Sequence, residues 1–344
     1  MSDHALDALV QGRRRRRTRV VAVSVVLAVI AFVAFCWSVA VGDYPIPIER
    51  VPSILAGDGT KLETFFVNEL RLPRAVAALL VGVALGISGS IFQTLAGNPL
   101  ASPDIIGITA GASAAAVFVL VFLNTSGTAV LVAALLGGLG SALLIYLLAW
   151  RRGITPYRLV LVGIGISTMT AAVTTYLLSR AELYEAREAN LWLTGSLNGR
   201  GWEQSVPLLI SMGVLVPLAV LMVPGLRSLQ LSDDTARGLG VRVDRTRTGL
   251  ILVASALASV ATAVAGPVAF VAFAAGPIAR RLINGPLAIV TSGLVGGTLV
   301  LVADVIAREL FAPTDVPVGI VTALVGAPYL LWLLARANRI GRGG

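Results

Sequence analysis

The sequence predicts an all-α protein that crosses a membrane about ten times. Three observations carry this expectation. Of 344 residues, 56% are hydrophobic and only 13% are charged, with a mean hydropathy of +0.87, more apolar surface than a soluble domain of this size can hide. Apolar stretches of roughly 17 to 25 residues recur from Val20 to Leu334, the length a helix needs to cross about 30 Å of hydrocarbon. The stretches are continuously apolar and rich in Ala, Leu, Val and Gly, whereas a β-barrel needs alternation in segments of about ten residues.

The first span is expected at residues 20–41. It follows Arg13, Arg14, Arg15, Arg16, Arg17 and Arg19 in a basic tail, 1–19. No clean small-residue cleavage site interrupts it, so an uncleaved helix is expected rather than a signal peptide. Spans two to five fall at 73–95, 105–123, 128–150 and 157–178. Pro99 and Pro103 shape the entry to the third, where Asp104 is expected to cap the helix, with Asn98 and Gln93 supporting it. Between the first two spans, residues 42–70 mix Pro45, Pro47 and Pro52 with short amphipathic stretches. Residues 179–204 carry Trp192 and Trp202. Both segments are expected to form short helices at the membrane surface, anchored by aromatic rings.

The sixth and seventh spans are expected at 205–223 and 248–266, joined by a polar loop, 224–247. The eighth, 268–279, is too short to cross alone. Gly266-Pro267 before it and Gly276-Pro277 within it predict a broken or partly re-entrant helix. Spans nine and ten fall at 287–307 and 317–335, and 336–344 is a short tail. Residues 20–335 therefore form one transmembrane domain. Near the end of the ninth span, Asp304 and Arg308 stand at i, i+4 and should pair. Small residues four apart, Gly82/Gly86, Gly107/Gly111, Gly137/Ser141 and Gly293/Gly297, predict close helix packing.

Ten crossings place both termini on one side. That side holds nineteen of the 27 basic residues: the six of the tail, Arg151, Arg152, Arg158, Arg227, Arg237, Arg242, Arg245, Arg247, Arg280, Arg281, Arg336, Arg339 and Arg342. By the positive-inside rule the termini are cytoplasmic. Twelve of the 18 acidic residues lie on the other side, which makes Arg71, Arg74 and Arg308 there stand out.

Several function classes are disfavoured. The basic residues sit in gaps between apolar runs and form no face for nucleic acid. Cys36 is the only cysteine and His4 the only histidine, so no intrachain disulfide is possible and no thiolate or imidazole metal site is expected. The only lysine, in Gly57-Asp58-Gly59-Thr60-Lys61-Leu62, does not fit a phosphate-binding loop. Asp104 and Asp304 are the only acidic residues near membrane depth, each near a helix end, which argues against an ion-coupled carrier. No nucleophile-base pair marks a membrane-embedded enzyme. A conduit driven by another polypeptide remains.

From Glu69 to Ser113 the chain reads ELRLPRAVAALLVGVALGISGSIFQTLAGNPLASPDIIGITAGAS. LRLPR, SGSIFQ and NPLASPDIIG, with LSDDTARGLGV (231–241), GPVAFVAFAAGPIARRL (266–282) and ADVIARELFAPTDVPVGIVTALVGAPYLLWLL (303–334), resemble the FecCD-type permease subunits of ABC importers for ferric siderophores, haem and cobalamin. The resemblance runs from about Trp37 to Ala335. Many relatives carry Pro-His in the third stretch, where this chain has Gly276-Pro277-Ile278, so no role tied to that histidine carries over.

The resemblance implies ten helices with inverted repeats, helices two to five and seven to ten. It also implies a second permease, identical or homologous, two cytoplasmic ATPases that use the ATP, and an extracytoplasmic binding protein. No cofactor is expected on this chain, which would sit in the bacterial inner membrane. NPLASPDIIG looks closer to siderophore permeases than to the cobalamin importer; haem or cobalamin is the alternative cargo.

Site residues follow from the same resemblance. Arg71, Arg74 and Arg308 match outer arginines that, in the family's cobalamin importer, pair with glutamates on the binding protein; the alternative is that they anchor helix ends. Ser232, Asp233, Asp234, Ala236, Arg237 and Gly238 resemble the element that couples to the ATPase, with a solvated turn as the alternative. Ser232 before Asp233 and Asp234 also makes a good helix start, and Gly238 and Gly240 a stop. Thr155, Pro156 and Tyr157 occupy the positions of a cytoplasmic gate, or form a plain turn with an interfacial tyrosine. Helices five and ten are expected to line the path. Ser167, Thr168, Thr170, Thr174 and Thr175 on helix five offer hydroxyls that either wet that path or bond back to helix carbonyls.

Overall fold

The structure, a computed structural model, describes residues 3–42, 44–151, 153, 155–310 and 315–340. Arg152 and Arg342, both counted in the charge asymmetry, and residues 341–344 of the expected tail lie outside the described residues, as do the side chains of Arg13, Arg336 and Arg339.

Among the described residues, ten principal helices follow the expected order: α1 (Asp3–Ala40), α2 (Leu72–Ala96), α3 (Ile108–Phe122), α4 (Thr128–Ala149), α5 (Pro156–Arg180), α6 (Trp202–Leu221), α7 (Val243–Ala265), α8 (Val271–Ile283), α9 (Ile289–Glu309) and α10 (Val318–Ile340). No strand occurs among the described residues. Seven of these helices are long and apolar enough to cross a membrane, and Ile108–Phe122 and Val318–Leu333 are shorter apolar segments. The chain is a multi-pass membrane protein.

Two boundaries differ from the expectation for physical reasons. α1 begins at Asp3 rather than near Val20, because arginine is a good helix former and nothing in the basic run breaks the helix. Before α2, Lys61–Thr64 and a π-helical turn, Phe65–Arg71, extend the same rod, so that Lys61–Ala96 runs 36 residues. At about 1.5 Å per residue this rod is longer than the hydrocarbon is thick.

The third and eighth spans are both interrupted where they start. A short helix, Pro103–Ile106, ends on Gly107 with φ +93° before α3 begins. Ser102, not Asp104, supplies the cap there, its hydroxyl accepting from the Ile105 amide. At the eighth span the chain turns at Gly266 (φ +71°) and again at Phe270 (φ +65°), after which α8 runs unbroken through Pro277 to Ile283. The break therefore lies upstream of Gly276-Pro277.

α2, α7 and α9 are the most buried long helices, while α1, α5 and α6 are mostly uncovered. Packing crosses between the two halves of the chain: α2 packs most extensively on α9 and next on α7, and α7 also packs on α4. In lipid there is little hydrophobic gain from pressing helices together, so close contact relies on small residues. The glycine pairs mate two by two. A Cβ on Gly82 would collide with the backbone of Gly296 and Gly297, and one on Gly86 with Ser292 and Gly293. Gly111 meets Gly137 and Ser141 in the same way, and the Ser141 hydroxyl donates to the Gly107 carbonyl at 2.8 Å. Ser88 ties α2 to the Ala254 carbonyl of α7 at 2.7 Å.

Candidate functional site

The end of the bundle where α1 finishes gathers the three arginines singled out in the sequence. Arg71, 6% exposed, donates to the carbonyls of Ala40 (2.8 Å) and Tyr44 and so holds the last turn of α1. Helix ends leave such carbonyls without partners, and a guanidinium's spread of donors can reach several at once. Arg74 donates to Asp304 through Nε (3.1 Å) and Nη2 (2.9 Å). Arg308 approaches the other oxygen of Asp304 at 3.2 Å and donates to the Ser38 hydroxyl at 2.8 Å. The expected i, i+4 pair is therefore present, widened into a cluster with Asp304 wholly buried at its centre.

These arginines face a cavity of about 250 Å³ that also holds Glu69, Arg200, Glu309 and Asp315. Arg200 sits between Gly199, with φ +68°, and Gly201. Its Nε is buried without a hydrogen-bond partner, and burial pushes its guanidinium below the ordinary arginine value. Nothing in the sequence distinguishes it from the other loop arginines.

At the opposite end, Ser232 caps a short helix, Asp233–Gly238, by accepting from the Thr235 amide at 3.1 Å. Ala236 is fully buried. Arg247, at the start of α7, grips Asp233 at 2.7 and 3.3 Å, while Asp234 and Arg237 pair in solvent at 3.0 Å. Gly240 follows with φ +82°. The segment is thus a capped helix fixed to α7, with an acidic N-terminus that suits the helix dipole.

Thr155 stands in extended conformation before Pro156, which occupies the first turn of α5, and Tyr157 projects with 78% of its surface exposed. Arg158 donates to the carbonyls of Ala149 and Arg151 and so closes the α4–α5 turn. Pro156 borders a cavity of about 460 Å³ with Gln93, Asn98, Gln230, Arg280 and Pro286.

On α5 the hydroxyls of Thr168, Thr170, Thr174 and Thr175 each donate to the carbonyl four residues earlier. Their hydrogens are spent within the helix, which leaves the oxygens as acceptors only. The Ser167 Cβ lies against Gly107, at the entry to α3.

Gln93 proves to serve α8 rather than the entry to α3. Pro277 lacks the amide that would bond the Phe273 carbonyl. The Gln93 side-chain amide supplies that bond at 2.9 Å, and its oxygen accepts from Arg280 at 2.8 Å. The proline was visible in the sequence; its partner, on another helix, was not.

The profile of the FecCD transport family matches residues 29–336. The chain belongs to the FecCD transport family. Among its FecCD relatives, it is 42% identical over 309 residues to the ferric enterobactin transport system permease protein of Escherichia coli (strain K12), covering 89% of this chain and 93% of that one. It is 46% identical over 274 residues to the achromobactin transport system permease protein of Dickeya dadantii (strain 3937), covering 78% of each. Among solved structures, an inward-facing metal-chelate type ABC transporter superimposes with a TM-score of 0.79 at 25% identity, over 92% of this chain and 99% of that one. The arginine cluster, the capped Asp233–Gly238 helix and the two interrupted spans all lie inside the FecCD match.

Proposed function

We propose that this FecCD-family chain is the membrane-spanning permease of an ATP-binding-cassette importer that passes a ferric siderophore complex into the cytoplasm. The observation that carries the cargo class is the 42% identity, across 89% of the chain, with a ferric enterobactin permease. An extracytoplasmic binding protein delivers the cargo, and two separate cytoplasmic ATPases drive it. The chain sits in the bacterial cytoplasmic membrane with both termini inside, an orientation supported by the arginine excess at that end.

A second permease, identical or homologous, completes the path. Support comes from α5 and α10, the last helix of each repeat, which leave large apolar side chains such as Met169, Tyr176, Leu324 and Leu331 uncovered in the single chain. The arginine-lined cavity receives acidic side chains of the binding protein, and the Asp233–Gly238 helix engages the ATPase. Thr155, Pro156 and Tyr157 stand at the cytoplasmic mouth.

Uptake of radio-iron loaded on catecholate, hydroxamate and citrate chelators, in cells with and without the chain, tests this reading. Loss of uptake of one or more ferric chelates, with dependence on ATP, is the expected result. Unchanged iron uptake, or uptake that collapses only when ion gradients are dissipated, overturns it.

A further inference from the structure

At the end where α1 begins, three segments distant in sequence enclose a cavity of about 730 Å³. Its walls include Arg16, Arg17 and Val20 of α1, Arg227 and Gln230 from the α6–α7 connection, and Pro286 and Leu287 from the α8–α9 turn. No acidic residue is among these wall residues, and none of the three arginines joins a salt bridge or side-chain hydrogen bond among the described residues. The nearby acids are committed elsewhere: Asp233 to Arg247 and Asp234 to Arg237.

The cavity is built rather than formed by a loose tail. Arg19 donates to the Leu282 carbonyl at the end of α8 at 3.2 Å. From the next residue onward, Val20, Val23 and Leu27 pack against the cluster of Ala279, Ile283 and Val295. The Arg16 guanidinium lies beside Gly285, close enough that a Cβ there would meet it at 3.0 Å.

The surroundings are two-faced. Directly beyond the arginines, α1 turns an apolar surface outward, with Val21, Val25, Val29 and Phe32 each more than half exposed. Three cations thus stand where a long apolar surface begins. A guanidinium binds a phosphate through paired N–H groups, and basic pockets between membrane helices hold anionic headgroups. The adjoining apolar surface argues for a lipid phosphate over a free one, since the exposed valines offer a bed for acyl chains.

We propose that Arg16, Arg17 and Arg227 form a binding site for the headgroup of an anionic phospholipid, whose acyl chains lie along α1. The site ties the start of α1 to the α6–α7 connection, which leads directly into the Asp233–Gly238 helix. It rests on the membrane placement of the chain and not on its cargo.

The test uses the purified full-length chain in phosphatidylcholine nanodiscs containing a minor fraction of phosphatidylglycerol, with native mass spectrometry of the lipids retained on release. The expected result is preferential retention of phosphatidylglycerol. A triple Arg16→Gln, Arg17→Gln, Arg227→Gln variant should lower that retention at least fivefold, and the corresponding triple lysine variant should keep most of it. Removal of the same charge at Arg151, Arg242 and Arg245 should leave it unchanged. Equal loss in this second glutamine variant, or no loss in the first, overturns the site. Displacement of the lipid by millimolar inorganic phosphate also overturns it, in favour of a free-anion site. Weakened association with the ATPase without a change in lipid retention overturns it in favour of a protein contact.

Discussion

Asp304, without exposed surface, accepts hydrogen bonds from two nitrogens of Arg74, the shortest at 2.9 Å. The pair joins α2 to α9, and Arg308 adds the end of α1 through Ser38. One carboxylate therefore balances two guanidinium groups that are each more than four-fifths buried. Replacing Asp304 with Asn removes the one carboxylate that both guanidinium groups share, and breaking a buried pair from one side costs about 3–5 kcal/mol. A lower midpoint for thermal unfolding in detergent is the expected outcome. An unchanged midpoint would show that the cluster contributes nothing to folding.

The bond from Gln93 to the Phe273 carbonyl makes a sharper prediction, because it can be restored by a second route. Gln93→Leu orphans that buried carbonyl and should destabilise the chain by about 1–3 kcal/mol. Pro277→Ala returns the missing amide, so part of the loss should be recovered in the double variant. Strict additivity of the two substitutions in a double-mutant cycle would refute the assignment.

For the Asp233–Gly238 helix, Ala236→Pro removes the amide that bonds to the Ser232 carbonyl at 2.9 Å and breaks the turn. The proposed role requires that transport then uncouple from ATP hydrolysis while the permease still inserts and still exposes its other loops normally. Transport with wild-type stoichiometry in the variant rules the role out.

Docking at the arginine-lined cavity is tested by charge reversal. Arg71→Glu and Arg308→Glu should weaken association with the binding protein, but each also breaks bonds that hold α1, so folding must be measured alongside. Arg200→Glu breaks no salt bridge or side-chain hydrogen bond among the described residues. Slower association by about tenfold, with a flatter salt dependence, is expected for this variant. Identical kinetics at low salt would remove Arg200 from the surface.

Much of the fold was legible because hydropathy is a one-dimensional signal and the bilayer fixes its scale. The same holds for the Gly82/Gly86 and Gly293/Gly297 spacing, which announced close packing, although only the structure shows that these two pairs face each other. Local chemistry was readable where cause and effect lie within one turn, as at Ser232 and at Asp304 with Arg308. It is not readable where a residue is satisfied from another helix: Gln93 bonds the Phe273 carbonyl of α8, and Arg71 holds the last turn of α1. At the entry to α3 two capping candidates stand two residues apart, and the sequence alone does not separate Ser102 from Asp104. The family resemblance offers the arginine cluster as a candidate surface for a partner, and the structure shows the bonds those side chains make at home.

The contact of Gly82 and Gly86 with α9 has a consequence for how the chain is made. Helix α2 leaves the ribosome early, and the surface its glycines require is among the last to be synthesised. Until then the face of α2 has only lipid or an improvised neighbour against it, and the first four-helix repeat cannot be finished by itself. A chain truncated after α5 would hold every helix of that repeat and still lack its proper core, so maturation of this protein is decided after its final helices have entered the membrane.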